Sequence, residues 1–218
     1  YLFKNKIPFI KIRPYDYDDT LEDVDIPIKF NQEEIINGNN FLRSLGIKEN
    51  DKYVCLLLRD KKYLKETFPS KDYSYHNYRN VKITNYLEAC NFLTSKGIKV
   101  LRMGKNVYEK FETNNKMIID YANHQERNDF MDIYLSANCY FWITVGSGID
   151  ASSYVFQKPV LHTNRTPVSY LMANRYSLSI IKHYFDTKNN KRLSFDEIYK
   201  RSLTVNLTSN ILKNNGIE

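Results

Sequence analysis

The stretch Tyr53-Val54-Cys55-Leu56-Leu57-Leu58-Arg59-Asp60 decides the fold class of this chain. It begins with an uninterrupted apolar run that is too short for most helices. Such a run predicts a strand that is buried on both faces, as in the middle of a parallel sheet. Arg59 and Asp60 follow at the point where this strand is expected to end.

Helices and short apolar strands alternate on both sides of that strand. Upstream, Asn31 is suited to cap a helix that Gly46 ends. Downstream, apolar residues spaced by three and four predict helices over 83–97 and 128–137, and a further helix opens at Ser147. The other predicted strands cover 98–101, 116–119, 140–145 and 159–161. Strands separated by helices of about ten residues imply β-α-β crossovers, so we predict an α/β fold with a Rossmann-like, mostly parallel sheet flanked by helices.

The first thirty residues lack this alternation. Pro8, Pro14 and Pro27 interrupt them, together with an acidic run over 16–25, so we predict an irregular connector over 1–30 and one domain over 31–218. The first residue, Tyr1, is not methionine, and we expect the chain to be part of a longer protein.

Composition narrows the class of partner. The chain has 218 residues, 42% of them hydrophobic and 26% charged, which is typical of a globular protein, and it contains no apolar run near the roughly 20 residues that span a bilayer. A net charge of +7 favours anionic ligands. The basic residues are scattered and no nucleic-acid-binding motif is present, so we predict no nucleic-acid partner. Cys55, Cys90 and Cys139 are widely spaced, which indicates reduced core thiols in a cytoplasmic protein.

The ends of the predicted strands carry residues suited to an anion. Because ligands bind at the carboxyl ends of parallel strands, these residues are expected to surround one pocket. They are Arg59-Asp60, Arg102-Met103-Gly104, Asp120-Tyr121-Ala122 and Gly146-Ser147-Gly148.

Gly146-Ser147-Gly148 is the strongest local signal. A strand, a turn of small residues and a helix start leave backbone N–H groups exposed to an anion, although a tight turn capped by Ser147 explains the same residues. Arg59 and Arg102 are each suited to a bidentate contact with a diphosphate, or to pairing with a surface carboxylate. The chain lacks the glycine pattern of dinucleotide sites and the lysine of a P-loop here.

The polar, tyrosine-rich loop over 60–82 is too long for a simple connection. Within it, Arg79 is a candidate phosphate ligand and His76 a candidate acid or base near neutral pH, or else a solvated loop residue. No histidine or cysteine spacing indicates a metal site, and the Asp16-x-Asp18 pair lies in the irregular leader. We predict no cofactor. Asp150 is left out of the site because it would repel a phosphate.

Several segments, in this order, resemble a family of bacterial glycosyltransferases. They are Asn31-Gln32-Glu33-Glu34, Leu58-Arg59-Asp60 with Tyr63-Leu64, Tyr78-Arg79-Asn80, Tyr86-Leu87-x-Ala89, Leu101-Arg102-Met103-Gly104, Asp120-Tyr121-Ala122, Asp132-x-x-Leu135, Gly146-Ser147-Gly148, Pro159-Val160-x-x-Thr163-Asn164 and Leu193-Ser194-Phe195-x-Glu197. The resemblance covers residues 28–200, and the joint order of the segments is more specific than any one of them.

The resemblance implies one half of a two-Rossmann, GT-B-type transferase, the half that binds a nucleotide-sugar donor. Arg59, Arg79 and Arg102 would then face the diphosphate, with Gly104 beside them. Gly146, Ser147 and Gly148 would hold a phosphate. Asp120 and Tyr121 would approach the base or ribose.

The same resemblance implies a glycan or lipid-linked acceptor, a role in polysaccharide biosynthesis and a location in the cytoplasm, with peripheral contact at the inner face of the membrane. Members of the family tend to carry a histidine before the arginine, where this chain has Leu58, so a base at that position is missing here. His76 is then the candidate base, and activity is expected to need the N-terminal half.

Two other functions fit the sequence. One is a non-catalytic nucleotide- or glycan-binding module, including a degenerate transferase domain. The other is a different Rossmann enzyme of phosphosugars, such as an epimerase or a pyruvyl transferase. The absence of a glycine-rich turn after the first strand argues against a cofactor-dependent epimerase.

Overall fold

A computed structural model describes residues 25, 26, 28–171 and 176–218. Most of the predicted connector over 1–30 lies outside the described residues. In the part of the chain that is described, none of the helices has both the length and the apolarity needed to cross a bilayer.

A six-stranded parallel sheet forms the centre of the molecule, with strand order β3-β2-β1-β4-β5-β6. Its strands are β1 (Tyr53–Leu57), β2 (Lys99–Met103), β3 (Ile118–Ile119), β4 (Phe141–Thr144), β5 (Val160–Arg165) and β6 (Ser177–Ile181). The predicted Rossmann-like α/β fold is therefore confirmed. Because the strand order reverses between β1 and β4, these two strands flank the point where such sheets bind ligands.

Strand β1 is buried along its whole length, as its apolar run predicts. Its side chains alternate between the two faces of the sheet. Tyr53, Cys55 and Leu57 belong to one apolar core, and Val54, Leu56 and Leu58 to the other. The sheet therefore has a core on each face, and only its ends and edges remain for ligands.

The helices that cover the sheet follow the sequence closely. Helix α1 (Gln32–Ser44) begins with a capping box between Asn31 and Glu34. Helix α4 (Asp129–Asn138) is capped by Asn128, whose side chain accepts a hydrogen bond from the Met131 amide. Apolar residues of α1 and α4 share one core, while α3 (Leu87–Ser95) contributes to the other.

Gly38 sets the distance between α1 and α4. A Cβ atom at this position would lie 2.2 Å from the ring of Tyr134. The Tyr134 hydroxyl, in turn, donates to the Ile35 carbonyl oxygen and the Asn39 side chain of α1. Glycine is thus needed for the tyrosine ring to pack this closely against α1.

Parts of the sequence prediction were incomplete. The loop over 60–82 contains a short helix, α2 (Lys62–Thr67), and a 3₁₀-helix over Ser74–Arg79. The helix predicted from residue 83 starts with a 3₁₀ turn and becomes α-helical only at Leu87. The fifth strand, predicted over 159–161, continues to Arg165, and β6 was not predicted.

The C-terminal residues form a small unit with its own apolar core. It comprises the antiparallel strands β7 (Phe185–Asp186) and β8 (Lys191–Arg192) and the helices α6 (Phe195–Lys200) and α7 (Ser209–Asn214). The α-helix that precedes this unit in the chain is α5 (Ala151–Val155). Leu193, Ile198, Leu203 and Leu212 are among its buried residues. The Ser209 side chain at the start of α7 hydrogen-bonds to the carbonyl oxygens of Ser74 and Tyr75, so this unit contacts the long loop after β1.

Candidate anion-binding site

A cavity of about 470 Å³ lies at the carboxyl ends of β1, β2 and β4, at the reversal of strand order. We call it the crevice. Four of the predicted site residues line it: Arg59, Gly104, Ser147 and Gly148. The sequence argument that strand-end residues share one pocket therefore applies to these four.

Arg59 has an unpartnered positive charge. Among the described residues it has neither a hydrogen-bond nor an ion-pair partner, and its Nε atom is buried. Partial burial lowers the pKa of the guanidinium, and the nearby charge of Arg79 lowers it further. An arginine with no carboxylate and a like-charged neighbour is the arrangement expected where an anion supplies the missing partner.

Arg79 reaches the end of β4 from the long loop. Its Nη2 atom donates a hydrogen bond of 3.0 Å to the carbonyl oxygen of Gly146, and its guanidinium lies 5.9 Å from the ring centre of Tyr170. The charge of Arg79 also lowers the pKa of Arg59, which places the two guanidinium groups in one region. Two of the predicted site residues, Arg79 and Gly146, are thus in direct contact.

Arg165, a residue that the sequence argument missed, lies against the same glycine. A Cβ atom on Gly146 would come within 2.1 Å of Nη1 of Arg165 and 3.6 Å of Nη2 of Arg79. Arg165 ends β5 after a register shift that follows His162, and its Nε atom donates to the Tyr170 carbonyl oxygen. The sequence analysis predicted that this strand ends at Leu161. Arg165 was therefore not recognised as an arginine at a strand end. We call Arg59, Arg79 and Arg165 the arginine cluster.

The turn after β4 is held by internal hydrogen bonds. Asp150 accepts from the Thr144 hydroxyl at 2.9 Å and from the Ser147 amide at 3.1 Å, while the Gly146 amide donates to Thr144 Oγ1. Burial raises the pKa of Asp150, although these donors and the charges of Arg165 and Arg79 oppose the rise. Asp150 therefore organises the turn. The backbone amide of Gly148 in this turn has no hydrogen-bond acceptor among the described residues.

His76 lies beside the arginine cluster and not along the crevice. Its ring is 4.1 Å from that of Tyr75, and its buried Nδ1 atom has no hydrogen-bond partner among the described residues. Burial lowers the pKa of His76, and the charges of Arg79 and Arg59 lower it further. The imidazole is thus neutral at neutral pH, the protonation state that a general base requires, and its catalytic role stays a prediction.

Arg102 and Asp120 lie in the structure as a buried ion pair. Arg102 is 2% exposed; its Nη1 atom donates to Asp120 Oδ1 and to the Glu109 carbonyl oxygen, both at 3.0 Å. Asp120 also accepts from the amide of Phe111. Neither residue is among those described along the crevice, and the pair joins the ends of β2 and β3. Arg102 and Asp120 thus bind each other in the structure, and their contact with a nucleotide-sugar donor stays a prediction.

Tyr121 is fully buried beneath the crevice. Its hydroxyl donates to Asp132 Oδ1 at 2.9 Å, and Asp132 forms a close ion pair with Arg127. Burial raises the pKa of Asp132, and the Arg127 charge opposes the rise. Tyr121 thus supports a wall of the crevice through Asp132, which is among its lining residues.

Most of the other charged side chains along the crevice are paired with one another. Arg127 pairs with Asp132 and Asp129, and Lys105 pairs with Asp129. Asp60 accepts hydrogen bonds from the amides of Lys62 and Tyr108. Arg59 is therefore the cationic side chain of this cavity that has no carboxylate partner among the described residues, and Asp60 keeps a negative charge beside it.

Within the described residues, no group of three or more His, Cys, Asp or Glu side chains is placed to hold a metal ion. Comparisons with protein-family models, with curated proteins and with solved structures find no match to this chain. The functional argument therefore depends on the geometry of the crevice and the arginine cluster.

Proposed function

We propose that the chain binds the diphosphate of a nucleotide-sugar donor at the crevice and acts as the donor-binding part of a glycosyltransferase. The observation that carries this proposal is the unpartnered charge of Arg59 at the reversal of strand order, beside Arg79. An open α/β sheet binds its ligand at that point. The ligand that suits it has a compact negative charge and a body large enough to occupy about 470 Å³.

The apolar part of the crevice suits the base or the sugar of such a donor. Leu58, Leu64 and Ile149 line it together with Tyr63. Ligand sites typically combine apolar walls with a few polar groups that fix orientation. A free phosphate ion would use the charge and leave these walls uncovered, so a phosphate ester of a larger molecule is the better match.

The arginine cluster supplies what sugar transfer needs at the donor. As the bond between the sugar and the diphosphate breaks, negative charge grows on the leaving oxygen. Fixed guanidinium groups beside that oxygen stabilise it more in the transition state than in the ground state. In this mechanism Arg59, Arg79 and Arg165 bind the diphosphate, and His76, which is neutral at neutral pH, accepts the proton of the acceptor hydroxyl.

One observation favours a second function, a nucleotide-binding module without catalysis. The carboxylates along the crevice, those of Asp60, Asp129 and Asp132, all accept hydrogen bonds or form ion pairs within the protein. Asp129 and Asp132 are engaged with cations of the protein, an arrangement typical of a structural role. A turnover assay separates the two functions, since a transferase releases free nucleoside diphosphate from its donor and a binding module does not.

A thermal-shift panel tests the proposal itself. Nucleoside diphosphates that bind only the folded state raise the melting temperature, whereas the corresponding nucleosides, which lack phosphate, are expected to have no effect. We expect Arg59→Gln to remove the shift. An equal shift with nucleosides and diphosphates, or no shift with any diphosphate at millimolar concentration, would reject an anion site in the crevice.

A further inference from the structure

A second cavity, of about 510 Å³, lies between the C-terminal unit and the ends of the last two strands of the sheet. Its lining includes Tyr78, Lys182, Tyr184 and Lys213. We call it the lysine cavity. It is separate from the crevice, with which it shares no lining residue among those described.

The arginine cluster lies between the two cavities. Tyr78 and Thr166 line the lysine cavity, and their chain neighbours Arg79 and Arg165 are members of the cluster. Arg79 and Arg59 also lower the pKa of Tyr78, against the larger rise that burial causes. A ligand in the lysine cavity would therefore lie close to whatever the arginine cluster holds.

Lys182 is the residue of this cavity that is best suited to bind an anion. Its Nζ atom donates a hydrogen bond of 2.6 Å to the Tyr78 carbonyl oxygen, and no carboxylate pairs with it among the described residues. Burial lowers the pKa of this amino group. An ammonium group has three donors, so a partly buried lysine with a single carbonyl partner can hold an anion with the remaining two.

The charge around Lys182 also favours an anion. Lys213 and His183 line the same cavity, and Glu218 is the one acidic residue described along it. Lys213 likewise lacks an ion-pair partner among the described residues. Tyr78, which is partly exposed, adds aromatic surface on which the apolar face of a sugar ring can pack.

We propose that the lysine cavity binds the acceptor, an acidic saccharide whose carboxylate or phosphate contacts Lys182. The anionic part of this inference depends on the cavity alone, and its assignment as the acceptor depends on the proposed transferase function. In that arrangement the donor diphosphate and the acceptor contact opposite sides of the arginine cluster.

Ligand-observed NMR with three small probes tests this inference. The probes are a uronic acid, a hexose phosphate and the matching neutral hexose. We expect at least one acidic probe to bind more tightly than the neutral sugar by a factor of ten or more, since a charged hydrogen bond contributes about 1.5–3 kcal/mol. The difference between the two acidic probes identifies the group that Lys182 prefers.

Variants of the folded chain locate the binding. Lys182→Gln is expected to reduce the affinity for the acidic probe about tenfold or more, and Lys182→Arg to retain most of it. The control is Lys96→Gln, which removes an exposed lysine near the amino end of β2. The melting temperature of each variant confirms that it is folded.

The outcomes separate this inference from the proposed function. Acidic-probe binding that depends on Lys182 supports the lysine cavity, even if no nucleotide binds at the crevice. Equal binding of acidic and neutral sugars, binding that Lys182→Gln leaves unchanged, or no binding at millimolar concentration overturns it. In those cases nucleotide binding that depends on Arg59 would still support the donor site.

Discussion

Arg79 and Gly146 are joined by a hydrogen bond, with Nη2 of the arginine 3.0 Å from the carbonyl oxygen of the glycine. The contact links the long loop after β1 to the end of β4, two segments that are far apart in the chain. Gly146 has a φ of +87°, a backbone conformation that L-residues rarely adopt. The same glycine leaves room for the guanidinium of Arg165. The arginine cluster is thus organised around one residue without a side chain.

Gly146→Ala is therefore predicted to reduce both stability and anion binding. The positive φ imposes backbone strain of about 1–3 kcal/mol on a residue with a side chain, and the added methyl group would displace Arg165. Denaturant unfolding measures the first effect and nucleotide titration the second.

Gly148→Ala is the matched control for the stability measurement. A Cβ atom at Gly148 meets no atom within 4 Å, and its backbone is not in the left-handed region. Its stability should stay close to that of the wild type. Similar losses from both substitutions would show that the space at Gly146 is not critical.

Arg102→Met is predicted to destabilise the fold rather than to act on a ligand directly. Arg102 is almost fully buried, and its removal leaves the Asp120 carboxylate without its cation, a change that typically costs about 3–5 kcal/mol. Asp129→Asn removes exposed ion pairs and is expected to cost less than about 1 kcal/mol. A stable Arg102→Met protein that has lost nucleotide affinity would instead support direct contact of Arg102 with the donor.

His162 is predicted to make stability fall with acid. Burial lowers the pKa of His162 to about 3, whereas in the unfolded chain it is about 6.5, so the unfolded state binds more protons between these values. Stability is then complete above pH 6.5 and declines as the pH falls, by about 1.4 kcal/mol for each pH unit at most.

The difference between wild type and His162→Gln isolates this effect from that of the carboxylates. The glutamine can still contact the Tyr154 hydroxyl, which lies 2.7 Å from Nε2 of the histidine. Between pH 7 and pH 4, the free energy of unfolding of the wild type should fall relative to that of His162→Gln. Parallel pH profiles would show that His162 is protonated equally well in both states.

The sheet could be predicted from the sequence because its strands are buried on both faces. The apolar run before Arg59 is typical of a strand in the middle of a parallel sheet, and the cap at Asn31 and the glycine at Gly46 delimit α1. Strand β6 gave no such signal, since Leu178 and Ile180 are exposed and alternate with polar or partly buried neighbours. A pattern search for buried strands does not detect it.

The candidate site was predictable only in part, because sequence position does not show what a side chain pairs with. Arg59 and Arg102 were both predicted to bind an anion, because each lies at or near the end of one of two neighbouring strands. Arg59 lines the crevice and has no partner among the described residues, whereas Arg102 pairs with Asp120. Arg165 was missed because the length of β5 was underestimated, and the role of Lys182 depends on a cavity formed by distant segments.

Titration calorimetry of a nucleoside diphosphate is the most direct test of the crevice as an anion site. We predict that Arg59→Gln reduces the affinity by about 10- to 100-fold, because the lost charged hydrogen bonds contribute about 1.5–3 kcal/mol. Lys96→Gln, which changes the net charge by the same amount elsewhere, should leave the affinity within about a factor of two. Equal affinities for wild type and Arg59→Gln, or an equal loss in both variants, would show that the diphosphate does not bind at Arg59.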